Sequence, residues 1–237
     1  MKGATRLSNL WEIRAESEAA TSLDLYIYST VESDNWWEES ETSAQHFRKE
    51  LEKHKNLKQI NVYINSAGGS VLEGSAIYTQ LKRHSAKVTV YIDGFACSIA
   101  SVIAMAGDKV VMSENAVMMI HNAWAVAAGN SQQLRKIADD LDVINKANKA
   151  AYLVKSDGKI TPEKLTEMLD NETYLSAEDC MKYGFCDEIS SKVESSVENH
   201  VEMQAYRNSI EKISAMLDIK KPEKQDKTEV FKKMFNI

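Results

Sequence analysis

The chain has 237 residues, of which 43% are apolar and 27% charged, an ordinary composition for a soluble globular protein of one large or two small domains. Its 29 basic and 35 acidic residues leave a net charge of −6, which argues against a nucleic-acid partner held by a basic surface. Three cysteines, Cys97, Cys180 and Cys186, are an odd number without metal-type spacing and predict reduced thiols in a cytoplasm-like compartment. The N-terminal stretch has no apolar core of a signal peptide and no window reaches the length of a membrane span, so the expectation is a cytoplasmic protein without membrane contact.

The chain opens with a polar arm, residues 1–20. The alternation of Leu23, Leu25 and Ile27 with Asp24, Tyr26 and Tyr28 predicts a strand. An acidic insert over 33–43 carries Trp36 and Trp37, read as a staple, with a partner contact as the alternative, for a helix over 42–54 that turns Phe47 and Leu51 inward. A second strand is predicted over 60–64. It is followed by Asn65-Ser66-Ala67-Gly68-Gly69-Ser70 and a helix through Val71, Ile77 and Leu81. Strand 88–92 ends at Asp93-Gly94, and a small, apolar helix runs from Ser98 through Ala106. Strands 109–112 and 117–120 come next. Strands alternating with helices predict an α/β layered core with a largely parallel sheet.

After residues 125–130 the pattern is helical over 131–155, with Leu134, Ile137, Leu141 and Ile144 at helical spacing and Arg135, Lys136, Asp139 and Asp140 on the other face. Thr161 and Pro162 are a cap and first residue for one more helix. Beyond Ile189 the chain has no glycine. Val193, Val197, Val201, Ile210, Ile213 and Leu217 outline an amphipathic helix, residues 220–227 read as a linker, and Val230, Phe231, Met234 and Phe235 form a terminal apolar cluster.

Two stretches carry chemistry. Ser98 sits at a strand-to-helix turn between small neighbours, Ala96, Cys97 and Ala100, where a hydroxyl is lifted from the sheet as a nucleophile requires. His121 follows its strand 23 residues on, where a base for Ser98 would stand. Taken singly, a buried capping serine and a core histidine are the alternatives. Gly68 and Gly69 at the end of a strand leave N–H groups outward, able to hold a phosphate or an oxyanion. The turn lacks the Lys-Ser/Thr of a phosphate-binding loop and the third glycine of a dinucleotide site. Cys97 has no basic neighbour to activate it.

As a set, Asn65-Ser66-Ala67-Gly68-Gly69, Gly94-Phe95-Ala96-Cys97-Ser98-Ile99-Ala100-Ser101 and Met118-Met119-Ile120-His121-Asn122 resemble three motifs of the Clp protease proteolytic subunit family, in order and spacing. Glu172-Thr173-Tyr174-Leu175-Ser176-Ala177-Glu178-Asp179 is a fourth match, and the resemblance spans about 23–189. It implies a ClpP/crotonase-like ββα spiral with a protruding handle helix, here residues 131–155. It also implies a serine endopeptidase with Ser98 as nucleophile, His121 as base, Glu172 as acid, an oxyanion hole from the Gly69 and Ile99 N–H groups, and substrate backbone held at Gly68 and on a glycine-containing strand at Gly129.

No cofactor or metal is implied. Domain limits follow as 1–20 for the arm, 21–189 for the peptidase and 190–237 for a charged, mostly helical extension. Ala67 replaces the family's usual proline. Glu172 stands where an aspartate is usual, and Asp170 two residues away remains a second candidate for the acid. Partners implied are a homo-oligomeric ring and protein substrates. The acidic insert, the Glu172 motif and the extension lean toward the head maturation proteases of phages and prophages, acting on scaffold, capsid or portal proteins in a bacterial host. A housekeeping peptidase working with a Clp ATPase is the alternative, and an idle assembly module on the same fold a further one.

Overall fold

The computed structural model describes residues 11–14, 21–33, 43–54 and 56–190. In chain order the elements are β1 (Trp11–Arg14), β2 (Ser22–Ile27), α1 (Ala44–Lys53), β3 (Gln59–Ser66), α2 (Val71–Arg83), β4 (Lys87–Cys97) and α3 (Ile99–Ala104), then β5 (Lys109–Ser113), β6 (Val117–Ile120), α4 (Ser131–Ser156), α5 (Pro162–Asp170), β7 (Thr173–Ser176), α6 (Ala177–Tyr183) and β8 (Glu188–Ser190). The sheet is ordered β1-β2-β3-β4-β5-β8, and β6 branches from β4 and carries β7. Strands β2 to β5 and β8 are parallel, whereas β1 against β2 and β7 against β6 are antiparallel. The α/β architecture with a largely parallel sheet is the one that strand-helix alternation predicts.

Alternation in β2 becomes a layer because its register matches those of β3 and β4. Leu23, Leu25 and Ile27 line up with Ile60, Val62 and Ile64, and these with Val88, Val90 and Ile92. All nine are buried under α2, which adds Ile77 and Leu81, and under α3, whose six residues are all buried. Each such side chain contributes about 1.5–3 kcal/mol of burial. On the opposite face Tyr26, Tyr63 and Tyr91 stack in the same register, ring centroids 4.6 and 5.0 Å apart. Residues of α1 follow the expected facing, with Phe47 buried and Leu51 partly so, but the cap is Ser43, whose side chain accepts from the His46 N–H.

Helix α4 starts in a capping box of Asn130 and Gln133 and is not buried anywhere before Ala151. Of the expected apolar stripe Leu134 is 43% exposed, while Ile137, Leu141 and Ile144 are half-buried, so this chain covers the stripe only in part. At its foot, Lys155 donates to Asp187, which in turn accepts from the Val110 N–H, tying helix, β8 connection and β5 together.

Two elements differ from expectation. Strand β4 does not end at Asp93-Gly94. It runs on to Cys97, because Thr89–Ile92 pair with β5 and Phe95–Cys97 pair with β6, and Gly94 lies at the change of partner. Within the polar arm, Trp11–Arg14 form a strand on the edge of β2. Trp36 and Trp37, the rest of the insert over 34–42, and the extension beyond Ser190 lie outside the described residues.

Candidate active site

Ser98 closes β4 and opens α3 with φ 55° and ψ −128°, a conformation that a side chain rarely adopts and that persists only when its surroundings hold it. Several contacts do so. The Ser98 N–H donates to the Met119 carbonyl at 2.9 Å, pinning the turn to β6. The packed, wholly buried α3 fixes the exit. Beside it the Gly68 Cα comes so close that a Cβ there would lie 2.7 Å from the Cys97 carbonyl oxygen and the Ser98 Cβ. The approach of Gly68 leaves no room for a side chain beside the serine turn.

His121 lies one residue past β6, whose Phe95↔Val117 to Cys97↔Met119 pairing with β4 brings both strand ends to the same edge. Its Nε2 is 2.6 Å from Ser98 Oγ. With the proton on Nδ1, Nε2 accepts from the serine hydroxyl and is placed to take its proton. Burial lowers the imidazole below its ordinary value of 6.5, and the charge of Glu172 pushes it back up. The backbone beyond is anchored twice. Asn122 donates to Asp170 at 2.7 Å, and the Ala123 N–H donates to Asn145 Oδ1 at 2.7 Å.

Glu172 stands between α5 and β7 with φ 48°, its N–H donating to the Leu169 carbonyl. The antiparallel pairing Ile120↔Thr173 sets it across from His121 in the continued register. Its exposed carboxylate acts on the imidazole by charge. Asp170 is occupied by Asn122 instead.

The glycine turn lies against the serine turn. Gly68 and Gly69 have φ of 97° and 143°, where a side chain would be strained. A Cβ on Gly69 would meet the Val31 carbonyl oxygen at 2.2 Å. The Val31 N–H donates to the Gly68 carbonyl, and the Ser70 N–H to the Val31 carbonyl. These bonds use the groups on either side of Gly69 and not its own N–H. Ile99, as first residue of α3, likewise has an N–H with no intrahelical acceptor. Both turns thus offer backbone donors beside the serine, a suitable arrangement for an oxyanion.

Cys97 is buried, and burial pushes its thiol up to about 12, the reverse of what a thiolate nucleophile needs. Gly129 precedes the Asn130 cap. Residues 121–130 leave the sheet without regular structure, exposing Trp124 (70%) and Val126 (91%). Among the described residues, 125–130 do not form the glycine-containing strand that the resemblance implies. Among the described residues, no three His, Cys, Asp or Glu side chains converge as metal ligands.

Sequence reasoning missed three residues around the pair. Asn145 and Tyr152 lie two turns apart on α4, and Ser101 lies one turn into α3. Ser101 Oγ is 2.5 Å from the Ser98 carbonyl oxygen and 2.6 Å from the Tyr152 hydroxyl. A hydroxyl in an otherwise apolar buried helix was the available signal.

The family model for Clp protease matches residues 37–193. The ATP-dependent Clp protease proteolytic subunit of Deinococcus radiodurans is 31% identical over 141 residues, 59% of this chain and 68% of that protein. Subunits of the same description from Dehalococcoides mccartyi and Leuconostoc citreum are 33% and 35% identical over 150 residues, about 60% of this chain and 72% of each of them.

Proposed function

This chain belongs to the Clp protease family, and we propose that it is a serine endopeptidase in which Ser98, His121 and Glu172 act as nucleophile, base and acid. The observation that carries the reading is the 2.6 Å approach of His121 Nε2 to Ser98 Oγ at a strained strand-to-helix turn. His121 takes the serine proton as Oγ attacks a peptide carbonyl. The Gly69 and Ile99 N–H groups hold the resulting oxyanion. The imidazolium then protonates the leaving amine, the C–N bond breaks, and water repeats the cycle to free the acyl group. Glu172 stabilises the imidazolium by charge. Gly68 and Gly129 hold substrate backbone.

The peptidase domain spans 21–189, and the protein assembles as a homo-oligomeric ring. Support for the ring is the apolar stripe on α4, which the single chain covers only in part, together with the family. No helix among the described residues is long and apolar enough to cross a membrane.

For the biological role, the reading is maturation of phage or prophage heads, with scaffold, capsid or portal proteins as substrates. Residues 190–237 tether the enzyme to them, raising the local substrate concentration toward about millimolar. It is supported by the acidic insert over 33–43, the Glu172 motif and a tail that continues well past the matched residue 193. A second reading, peptide hydrolysis driven by a Clp ATPase, is favoured by the description of the three relatives.

Labelling Ser98 with a fluorophosphonate tests the chemistry, since an idle module on this fold is not labelled. Truncation after Ile189 tests the role. It should spare small-peptide hydrolysis and slow cleavage of co-expressed head proteins. Stimulation by a Clp ATPase of the cleavage of an unrelated tagged protein would favour the second reading.

A further inference from the structure

We propose that Tyr152 and Ser101 are positioning residues that fix the peptide between Ser98 and Ile99, and thereby aim the Ile99 N–H at the oxyanion; the inference rests on the roles given to Ser98 and Ile99 above. The Ser98 carbonyl oxygen receives two donors, the Ser101 N–H at 3.0 Å and the Ser101 hydroxyl at 2.5 Å. A carbonyl only accepts, so the single proton of the Ser101 hydroxyl is committed to it. The Tyr152 hydroxyl, 2.6 Å from Ser101 Oγ, is therefore the donor in that contact. A relay runs from Tyr152 O–H to Ser101 O–H to the Ser98 carbonyl.

That carbonyl and the Ile99 N–H are opposite sides of one planar trans peptide. Holding the oxygen sets the direction of the N–H. The constraint matters because Ser98, at φ 55° and ψ −128°, is in no ordinary backbone well and its neighbouring peptide has no local preference to keep it in place. Tyr152 and Ser101 are 1% and 0% exposed. Phenylalanine and alanine would fill the same space without burying two hydroxyls, which are costly unless bonded. Burial also raises the Tyr152 phenol above its ordinary value, so it keeps the proton that the relay uses. Tyr152 belongs to α4, as does Asn145, which anchors Ala123 beyond His121. One helix thus holds the backbone on both sides of the Ser98–His121 pair.

The test compares full-length wild type with Tyr152→Phe, Ser101→Ala and the double variant. The readouts are the rate of fluorophosphonate labelling against pH, kcat and KM on a fluorogenic peptide, and the thermal midpoint. Misdirecting one oxyanion donor should lower labelling and kcat roughly tenfold, less than the loss on deleting such a donor, with KM within about twofold. The double variant should be no slower than the slower single, because the residues act in series. The pH midpoint set by His121 should stay where it is. Tyr152→Phe retains the ring, so it remains informative if Ser101→Ala fails to fold. Labelling within about twofold of wild type in a folded variant overturns the proposal, even where the thermal midpoint falls. So do losses that multiply in the double variant, or a shifted pH midpoint. If wild-type Ser98 is not labelled, the reading of the site fails and this inference with it. Labelling of wild type and variants at one rate removes the inference alone.

Discussion

Glu172 stands across from His121 in the continued β6–β7 register, and its charge raises the imidazole against the larger lowering that burial imposes. Proton acceptance from Ser98 needs the neutral ring. The rate kcat/KM should therefore rise with pH to a plateau through a midpoint below the ordinary 6.5. Glu172→Gln removes the raising influence, so the midpoint should move further down. An upward move, measured on a small peptide, would contradict the electrostatics. The same shift fixes a sign for stability. Below about pH 6.5 the unfolded chain binds a proton that folded His121 refuses, so this group destabilises the fold as pH falls through that value.

Exchange of the two acids should separate their roles. Loss of a triad acid costs up to about 10⁴ in turnover in a buried site. The Glu172 carboxylate is exposed, so Glu172→Gln is expected to cost roughly a hundredfold in kcat. Asp170→Asn removes a charge but keeps an oxygen that can accept from Asn122, and should stay within about threefold. Equal, mild losses would indicate a Ser98–His121 dyad.

Substitutions of Ser98 should split activity from stability. Both Ser98→Ala and Ser98→Gly should abolish peptidase activity by several orders of magnitude, while Cys97→Ala should retain it. Glycine tolerates φ 55° and alanine does not, so Ser98→Gly should be more stable than Ser98→Ala by about 1 kcal/mol. Denaturant titration of the two inactive proteins reads the difference. An alanine variant as stable as the glycine one would mean that the turn is not strained.

Asp187 should matter to folding although it is far along the chain from the site. Asp187→Ala leaves Lys155, only 9% exposed at its side chain, with the Gly107 carbonyl but no counter-charge, and deprives the Val110 N–H of its acceptor. Because the aspartate is itself 41% exposed, the expected destabilisation is about 2 kcal/mol rather than the larger cost of a fully buried pair. Asp187→Asn retains an acceptor for Val110 and should lose less. A melting point unchanged in Asp187→Ala would exclude the link as a support of α4.

Apolar periodicity made the core strands and most helices legible, because Leu23, Ile60 and Val88 head runs that one register turns into a single layer. The cap chemistry of Thr161 and Pro162 was legible for the same local reason. Ser98, His121 and the glycine turn stand out as a set, by the order and spacing of motifs that resemble a family, because taken singly a capping serine and a core histidine stay open. What escaped was pairing at a distance. Gly94 reads as a terminator from its own neighbourhood, and only the presence of β6 makes it the point where β4 changes partner. Ser101 and Tyr152 are 51 residues apart, and no periodicity connects a hydroxyl in one helix to a phenol in another. The short strand Trp11–Arg14 alternates over only four residues, too few to stand out from a polar arm.

The change of partner along β4 bears on how the protein reaches its fold. Strands β3, β5 and β6 all pair with β4, and all four lie within 59–120, so the centre of the sheet closes through modest chain separations that favour rapid assembly. Ser98 belongs to that stretch and His121 follows it directly, whereas Glu172 arrives with β7 from much later in the chain. Ser98 and His121 are therefore expected to come together in the folding nucleus, with Glu172 docking afterwards. Amide hydrogen exchange should show it, with β4 amides slowest and those of β7 opening at lower free energy.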